Sequence, residues 1–301
     1  MADGAPPCRF FAQGNCRAGD QCRFSHAVGQ AAPEPARIAA PCRFFLSGGC
    51  RAGDSCRFSH DMPAQGVPAP FTKQASVPAL PEVRGPLYSL DVECVATGTQ
   101  HHDRSVAQVG LVDDQCRHVL NVYVKPTKPV VSYLTPLTGI SAEHIEKHGV
   151  TLEAALEQLR AALPKDATLV GQNILTDVQW LGLKEGVDFA GLIDLVALFR
   201  VPTGGGQYAY FSQDHVARVW LRGTPYARGA DAAHDAVDDA ATSMALFHAF
   251  RKAVDAPEQL AALQRATLDE PKVPSFAVAN PVFEGVCQGN RKTCVCGAPF
   301  F

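Results

Sequence analysis

Residues 7–26 and 41–60 are two copies of one twenty-residue segment: Pro-Cys-Arg-Phe-Phe, a variable stretch, Cys-Arg-Ala-Gly-Asp, then Cys-Arg-Phe-Ser-His. Twenty residues cannot bury a stabilising apolar core, so each copy folds only if something besides packing holds it. Each offers three thiols and an imidazole, a closed tetrahedral shell for Zn²⁺. The expected ligands are Cys8, Cys16, Cys22 and His26 in the first copy and Cys42, Cys50, Cys56 and His60 in the second, with one zinc ion per copy. Metal binding then supplies the folding free energy. Three phenylalanines per copy (Phe10, Phe11 and Phe24; Phe44, Phe45 and Phe58) lie among arginines. Base stacking and phosphate contact by such residues suit single-stranded RNA, although some of these rings are also expected to cover the zinc sulfurs.

A second pattern lies beyond residue 86. Asp91 and Glu93 interrupt an apolar run that reads as a strand, where residues two apart share a face. Both carboxylates therefore point into one cleft while Leu90 and Val92 face a core. Asp177 follows a second apolar run that breaks at Gly171 into a helix. His234 and Asp239 come last. On one helix, positions five apart are roughly 140° out of phase, so His234 is placed in the turn before the helix that carries Asp239. Four carboxylates drawn to one site repel one another unless divalent cations neutralise them. Oxygen donors suit Mg²⁺ or Mn²⁺, and two such ions, a water and a histidine are the parts of in-line phosphodiester hydrolysis. Of the neighbouring acids, Asp238 is rotated about 100° from Asp239, so only one of those two can face the ions, and Asp194 reads as a helix cap.

The order of these segments resembles the DEDDh 3′-to-5′ exonucleases, and most closely their Rex-type branch, which includes the interferon-stimulated RNA exonucleases. The resemblance rests on 91–98 (Asp-Val-Glu-Cys-Val-Ala-Thr-Gly), on Tyr123-Val124-Lys125-Pro126, on Tyr133, on Leu137-Thr138-Gly139-Ile140, and on the pattern His-x-x-Val-x-Asp-Ala from His234 to Ala240. It implies a ribonuclease-H-like fold. Asp91, Glu93, Asp177 and Asp239 would hold two metal ions, with Asp91 bridging them and His234 as general base. Nucleoside 5′-monophosphates would leave from a free RNA 3′ end. Thr138 and Gly139 resemble the loop that meets the terminal nucleotide. Cys94 stands where the branch has a methionine packed near the base. The repeated finger resembles CCCH fingers of the makorin type, which implies RNA binding, with protein partners as the alternative.

The 301 residues allow about two domains. Expected boundaries are fingers at 7–27 and 41–61, an Ala/Pro-rich linker at 62–85, an exonuclease domain at 86–253 and a tail at 254–301 that is mostly irregular after a short helix. The fold class expected is α/β, a mixed sheet flanked by helices. Strands are predicted over 87–95, 105–112, 116–124, 167–171 and 191–195, and helices over 142–148, 152–162, from near 177, 212–221 and 236–253. Ser141 and Thr151 are the expected caps of the first two helices. A net charge of −3 excludes a uniformly basic nucleic-acid binder, leaving a local basic groove and the metals to hold a strand. No apolar run is long enough for a membrane span. The first residues lack a signal-peptide pattern, and the odd number of cysteines with finger spacing fits a reducing compartment. An intracellular protein, nuclear or cytoplasmic, is expected. Cys287, Cys294 and Cys296 supply three potential zinc ligands and no evident fourth. The competing readings are a DNA 3′-end exonuclease and a non-catalytic RNA- or protein-binding adaptor.

Overall fold

In the computed structural model the chain divides into two units, Met1–Thr72 and Lys73–Phe301. Residues 8, 16, 18–26, 38–41, 58–59, 80–100, 102–229 and 232–286 are described. The ligands expected in the second finger and the three C-terminal cysteines lie outside them.

In the first unit a 3-10 turn at Gly19–Gln21 leads into Cys22, and the Cys8 amide donates to the Ser25 carbonyl at 2.8 Å. That bond draws the first ligand of the finger onto its last turn. Strands β1 (Ile38–Pro41) and β2 (Phe58–Ser59) pair in parallel, although the sequence predicts no strand there.

The second unit is built on a sheet of five strands: β3 (Leu87–Ala96), β4 (Arg104–Asp113), β5 (His118–Tyr123), β6 (Thr168–Gly171) and β7 (Gly191–Asp194). Their order is β5-β4-β3-β6-β7. The first three are antiparallel neighbours, while β6 pairs in parallel with β3 and β7 with β6. This is the mixed α/β sheet that the sequence predicts. Alternation along β3 divides the interior in two. Leu90 and Val92 join Val109, Leu111, Leu159, Leu169, Ile174 and Phe189 in one core. Leu87 joins Val112, Val170 and Ile193 in the other, under Met244, Phe247 and Phe250.

The helices are α1 (Thr135–Thr138), α2 (Ala142–His148), α3 (Leu152–Ala162), α4 (Ile174–Leu181), α5 (Leu195–Phe199), α6 (Gln213–Trp220), α7 (Ala236–Val254), α8 (Pro257–Asp269) and α9 (Phe276–Ala279). Ser141 and Thr151 cap α2 and α3, each accepting an amide hydrogen from the first turn. α7 lays Ala240, Met244, Phe247 and Phe250 on the sheet, all fully buried. Its first turn comes down on the middle of β4 at Gly110, where a Cβ would stand 2.3 Å from the Ala236 carbonyl carbon. Only a residue without a side chain allows that approach.

The α4 helix begins at Ile174, three residues ahead of where the sequence places it, and further features depart from the sequence reading. The strand expected from Cys116 starts at His118, because Asp113–Arg117 is a tight turn in which Cys116 takes φ 58° and Arg117 Nε donates to Asp113 Oδ2 at 2.7 Å. Gly204, Gly205 and Gly206, all at positive φ, close a small hairpin between β8 (Val201–Gly204) and β9 (Gln207–Ala209). Finally, the chain does not leave the domain at 253. Leu260 of α8 is buried in the α7 core. Thr267 accepts from Trp220 Nε1 through its hydroxyl at 2.9 Å and lies 2.8 Å from His215 Nε2 through its carbonyl. Farther on, Val286 is buried beside Ala96 and Leu134. Thr267 holds by polar contacts and Leu260 and Val286 by apolar ones, so no single pattern marks the whole segment. Among the described residues no helix is long and apolar enough to cross a membrane.

Candidate active site

β3 delivers Asp91 and Glu93 to one face, opposite Gly110 and Gln108 of β4. The α4 helix starts at Ile174, after Asn173 takes a left-handed turn (φ 55°), so Asp177 lies in its first turn with 6% exposure. α7 starts at Ala236 with Asp235 as its cap, Oδ1 accepting from the amides of Val237 and Asp238. Asp239 is then one turn in and 3% exposed. His234 sits before the helix, as the phase argument requires, and its amide donates to the Leu137 carbonyl at 2.7 Å. Asp238 stays exposed, and Asp194 caps α5 by accepting from the Val196 amide.

The donor atoms of Glu93, His234 and Asp239 all lie within 4.8 Å of one another. His234 Nδ1 is 2.7 Å from Asp239 Oδ2 and 3.8 Å from Glu93 Oε1. Asp91 and Asp177 complete the acidic wall, and Asp177 feels the charge of Asp91. Burial first, then the charge of Asp239, pushes the Asp91 carboxyl well above the ordinary carboxylate range. Burial and the charges of Asp91 and Asp239 do the same to Glu93, and burial with the charge of Asp91 to Asp177. In a cluster that resists ionisation this way the negative charge outweighs the positive, and the carboxylate donors are hard oxygens. The set fits Mg²⁺ or Mn²⁺.

Three residues that shape this site carry no motif. Arg228, in the loop between α6 and α7, bonds Asp239 Oδ1 through Nη1 and Asp214 Oδ1 through Nη2, each at 2.6 Å. Asp214, on α6, also lies 3.8 Å from His234 Nε2. Gln108 is buried in β4. Its Nε2 donates to Asp235 Oδ2 at 2.8 Å, and its Oε1 accepts from the Ala236 amide at 3.3 Å. The amide thereby ties the start of α7 to the strand facing Glu93. A lone glutamine in the apolar run 106–112 is a visible signal for this role. For Arg228 and Asp214 the sequence holds none.

Of the expected substrate contacts, Gly139 (φ 68°) abuts the His234 turn, its Cβ position 3.3 Å from the His234 carbonyl oxygen. Thr138 is buried, its hydroxyl donating to the Tyr133 carbonyl at 2.9 Å and accepting from the Ile140 amide at 3.1 Å. That hydroxyl is committed to holding the loop. Cys94 packs against the core of Leu90 and Val92. Burial, followed by the charges of Asp177 and Glu93, raises its thiol well above the usual range.

In the first unit the Sγ atoms of Cys8, Cys16 and Cys22 and a ring nitrogen of His26 lie within 4.8 Å of one another, with Cys8 and Cys22 sulfurs 3.7 Å apart. A tetrahedral ion with Zn–S near 2.3 Å sets its sulfurs roughly 3.8 Å apart, so the four residues fit zinc.

Comparison with known proteins finds matches over both regions. A CCCH-type zinc finger family model matches residues 6–27 and 40–61, and an exonuclease family model matches 89–184. The second match contains Asp91, Glu93 and Asp177 and ends before His234. "Small RNA degrading nuclease 3" of Arabidopsis thaliana is 32% identical over 111 residues, 37% of this chain and 14% of that protein. Human "RNA exonuclease 4" is 35% identical over 95 residues, 32% of this chain and 22% of that protein. Human "RNA exonuclease 5" is 29% identical over 183 residues, 61% of this chain and 22% of that protein. The match thus spans less than a quarter of the length of each of these relatives. Among solved structures, the Saccharomyces cerevisiae apo Pan2 pseudoubiquitin hydrolase–RNA exonuclease module superposes with a TM-score of 0.51 at 18% identity, over 65% of this chain and 34% of that one; that likeness concerns the fold. The chain therefore carries a segment that matches an exonuclease family, on a sheet of the ribonuclease-H-like kind, and two segments that match CCCH-type zinc fingers.

Proposed function

We propose that this chain is a divalent-metal-dependent 3′-to-5′ exoribonuclease that releases nucleoside 5′-monophosphates from single-stranded RNA presented by its fingers. The observation that carries the reading is the convergence of Asp91, Glu93, Asp177 and Asp239 beside His234, three of those acids being held above their ordinary range by burial and mutual repulsion. RNA rather than DNA is favoured by the relatives named as RNA exonucleases and small RNA degrading nucleases, and by the aromatic and basic residues of the fingers. Reduced, zinc-binding cysteines fit an intracellular setting, nuclear or cytoplasmic.

Asp91, Glu93, Asp177 and Asp239 would hold two Mg²⁺ or Mn²⁺ ions, which when bound lower the pKa of an attacking water and stabilise the leaving 3′-oxyanion. The remaining work falls to the chain. With its Nδ1 proton donated to Asp239 Oδ2, His234 has Nε2 as its basic nitrogen and takes the proton of the water. The Gln108–Asp235 bond fixes the turn that carries the imidazole. Gly139 lets the loop at 137–140 close against that turn, where the terminal nucleotide would lie.

The test is incubation of the full chain with single-stranded RNA, and with DNA of the same sequence, in Mg²⁺ or in EDTA, following the label released from the 3′ end. Mononucleotides should appear from RNA in Mg²⁺ and not in EDTA. Asp91→Asn should abolish their release, and His234→Ala should slow it by about 10²–10⁴, the usual range for a lost general base. Internal cleavage products, or full activity in EDTA, would refute the reading.

A further inference from the structure

Arg228 is the cation closest to the acidic cluster among the described residues, and the expected metal set does not include it. Its side chain is 14% exposed and meets two acids at once, Asp239 at 2.6 Å and Asp214 at 2.6 Å, the first buried and the second about a third exposed. The planar fork of a guanidinium allows both bonds without strain. Its Nη2 also lies 3.1 Å from His234 Nδ1. Its charge reaches further than its bonds, opposing the upward push on both Asp91 and Glu93.

Asp239 is where the demands meet. One carboxylate oxygen faces Arg228 and the other faces His234. A divalent ion that takes Asp239 through Oδ1 must share or displace the guanidinium. Asp214 stands on α6, outside the expected ligand set, so a guanidinium that lets go of Asp239 is still tethered beside the site.

We propose that Arg228 is the resident counter-cation of the acidic cluster, a positioning residue that holds Asp239 and His234 in register from Asp214 and yields Asp239 to an incoming divalent ion. This rests on the metal-dependent reading above. Metal loading is then an exchange of one cation for another, and Arg228 sets how much divalent ion the site requires. A residue of purely structural importance would stabilise the fold equally with and without metal. A counter-cation makes the opposite demand: its loss should weaken the metal-free protein and strengthen metal binding.

The experiment titrates Mn²⁺ into full-length wild type and Arg228→Gln by calorimetry, without RNA, and records thermal unfolding of both in EDTA and in saturating Mn²⁺. Arg228→Gln should bind Mn²⁺ about tenfold more tightly or better, since a unit charge a few ångströms away at an effective dielectric near 20 is no small term. It should unfold several degrees below wild type in EDTA, with most of the gap closed in Mn²⁺. Unchanged or weaker Mn²⁺ affinity, or the same loss of stability in both media, overturns the proposal. If the variant does not fold, Arg228→Lys is titrated in its place. A single ammonium cannot span both acids and competes less well, so affinity should rise at least about twofold, and no rise overturns the proposal equally. Should wild type itself bind no Mn²⁺, the metal-dependent reading fails first, which keeps the two failures apart.

Discussion

A single methyl group added at Gly110 tests whether the contact between sheet and helix aims the active site. The Cβ of Gly110→Ala would fall 2.3 Å from the Ala236 carbonyl carbon, 2.4 Å from its oxygen and 2.5 Å from the Val237 nitrogen, whereas ordinary contact begins near 3.4 Å. All three atoms are backbone, so no side chain can swing aside. The first turn of α7 must lift from β4 by about 1 Å, carrying His234 and Asp239 away from Asp91, which pairs with Gly110 across the strands. Overpacking of this size costs about 1–3 kcal/mol, which for a domain of this length lowers the unfolding midpoint by roughly 2–12 °C. A misplacement of about 1 Å at reacting groups can cost on the order of 10²-fold in rate. The assay is turnover of a 3′-labelled oligoribonucleotide in Mg²⁺, well below the melting temperature of the variant, beside thermal unfolding. Val109→Ala is the control. Val109 neighbours Gly110 but points into the opposite core, so it should lose stability while keeping turnover within about threefold, since a cavity there shifts no active-site residue. Wild-type turnover by Gly110→Ala would falsify the reasoning, because α7 would then not be aimed by its seat on β4.

Three further outcomes follow from the same geometry. Because Asp91, Glu93 and Asp177 titrate above their ordinary range when folded, the metal-free native state holds protons that the unfolded chain has released. Stability in EDTA should therefore be full near pH 4 and fall as pH rises through the raised values; denaturant unfolding should show a smaller fall for Asp91→Asn, and equal slopes would refute the account. A chain ending at 254 should lose about 2–4 kcal/mol, from the exposed seat of Leu260 and the lost partners of His215 and Trp220; an unchanged melting temperature would show that α8 is dispensable. Replacing Cys16 and Cys50 by Ser should release zinc and raise KM on long RNA while turnover of very short oligonucleotides stays unchanged, because the fingers act by raising local concentration of the strand; equal losses on both substrates would place the fingers in the active site itself.

The acidic cluster is a balance of charges that only partly cancel. Four carboxylates and one guanidinium leave Asp91 and Glu93 resisting ionisation even with Arg228 opposing that push. Burial is the largest cause of each shift, so the fold itself, by sinking these acids beneath α7, makes the site favour cations. The same burial makes the Cys94 thiol reluctant to ionise, although it neighbours the site in sequence.

What the sequence determined by itself was whatever repeats or alternates locally. Ligand spacing in the first finger, the two-residue period that puts Asp91 and Glu93 on one face, and the phase that separates His234 from the helix of Asp239 are short-range rules. They hold because backbone geometry fixes them within one element. The strands and caps around them were legible for the same reason. Only the tertiary structure decided the contacts between elements distant along the chain. Gly110 matters because α7 lands on it, Gln108 because it meets Asp235 from another strand, and Arg228 because a loop brings it between Asp214 and Asp239. The residues after 253 are held by Thr267, Leu260 and Val286, whose partners lie on elements far away in the sequence. None of these has a local pattern, because each depends on where a partner arrives in space, and that is settled only when the two cores close around the sheet.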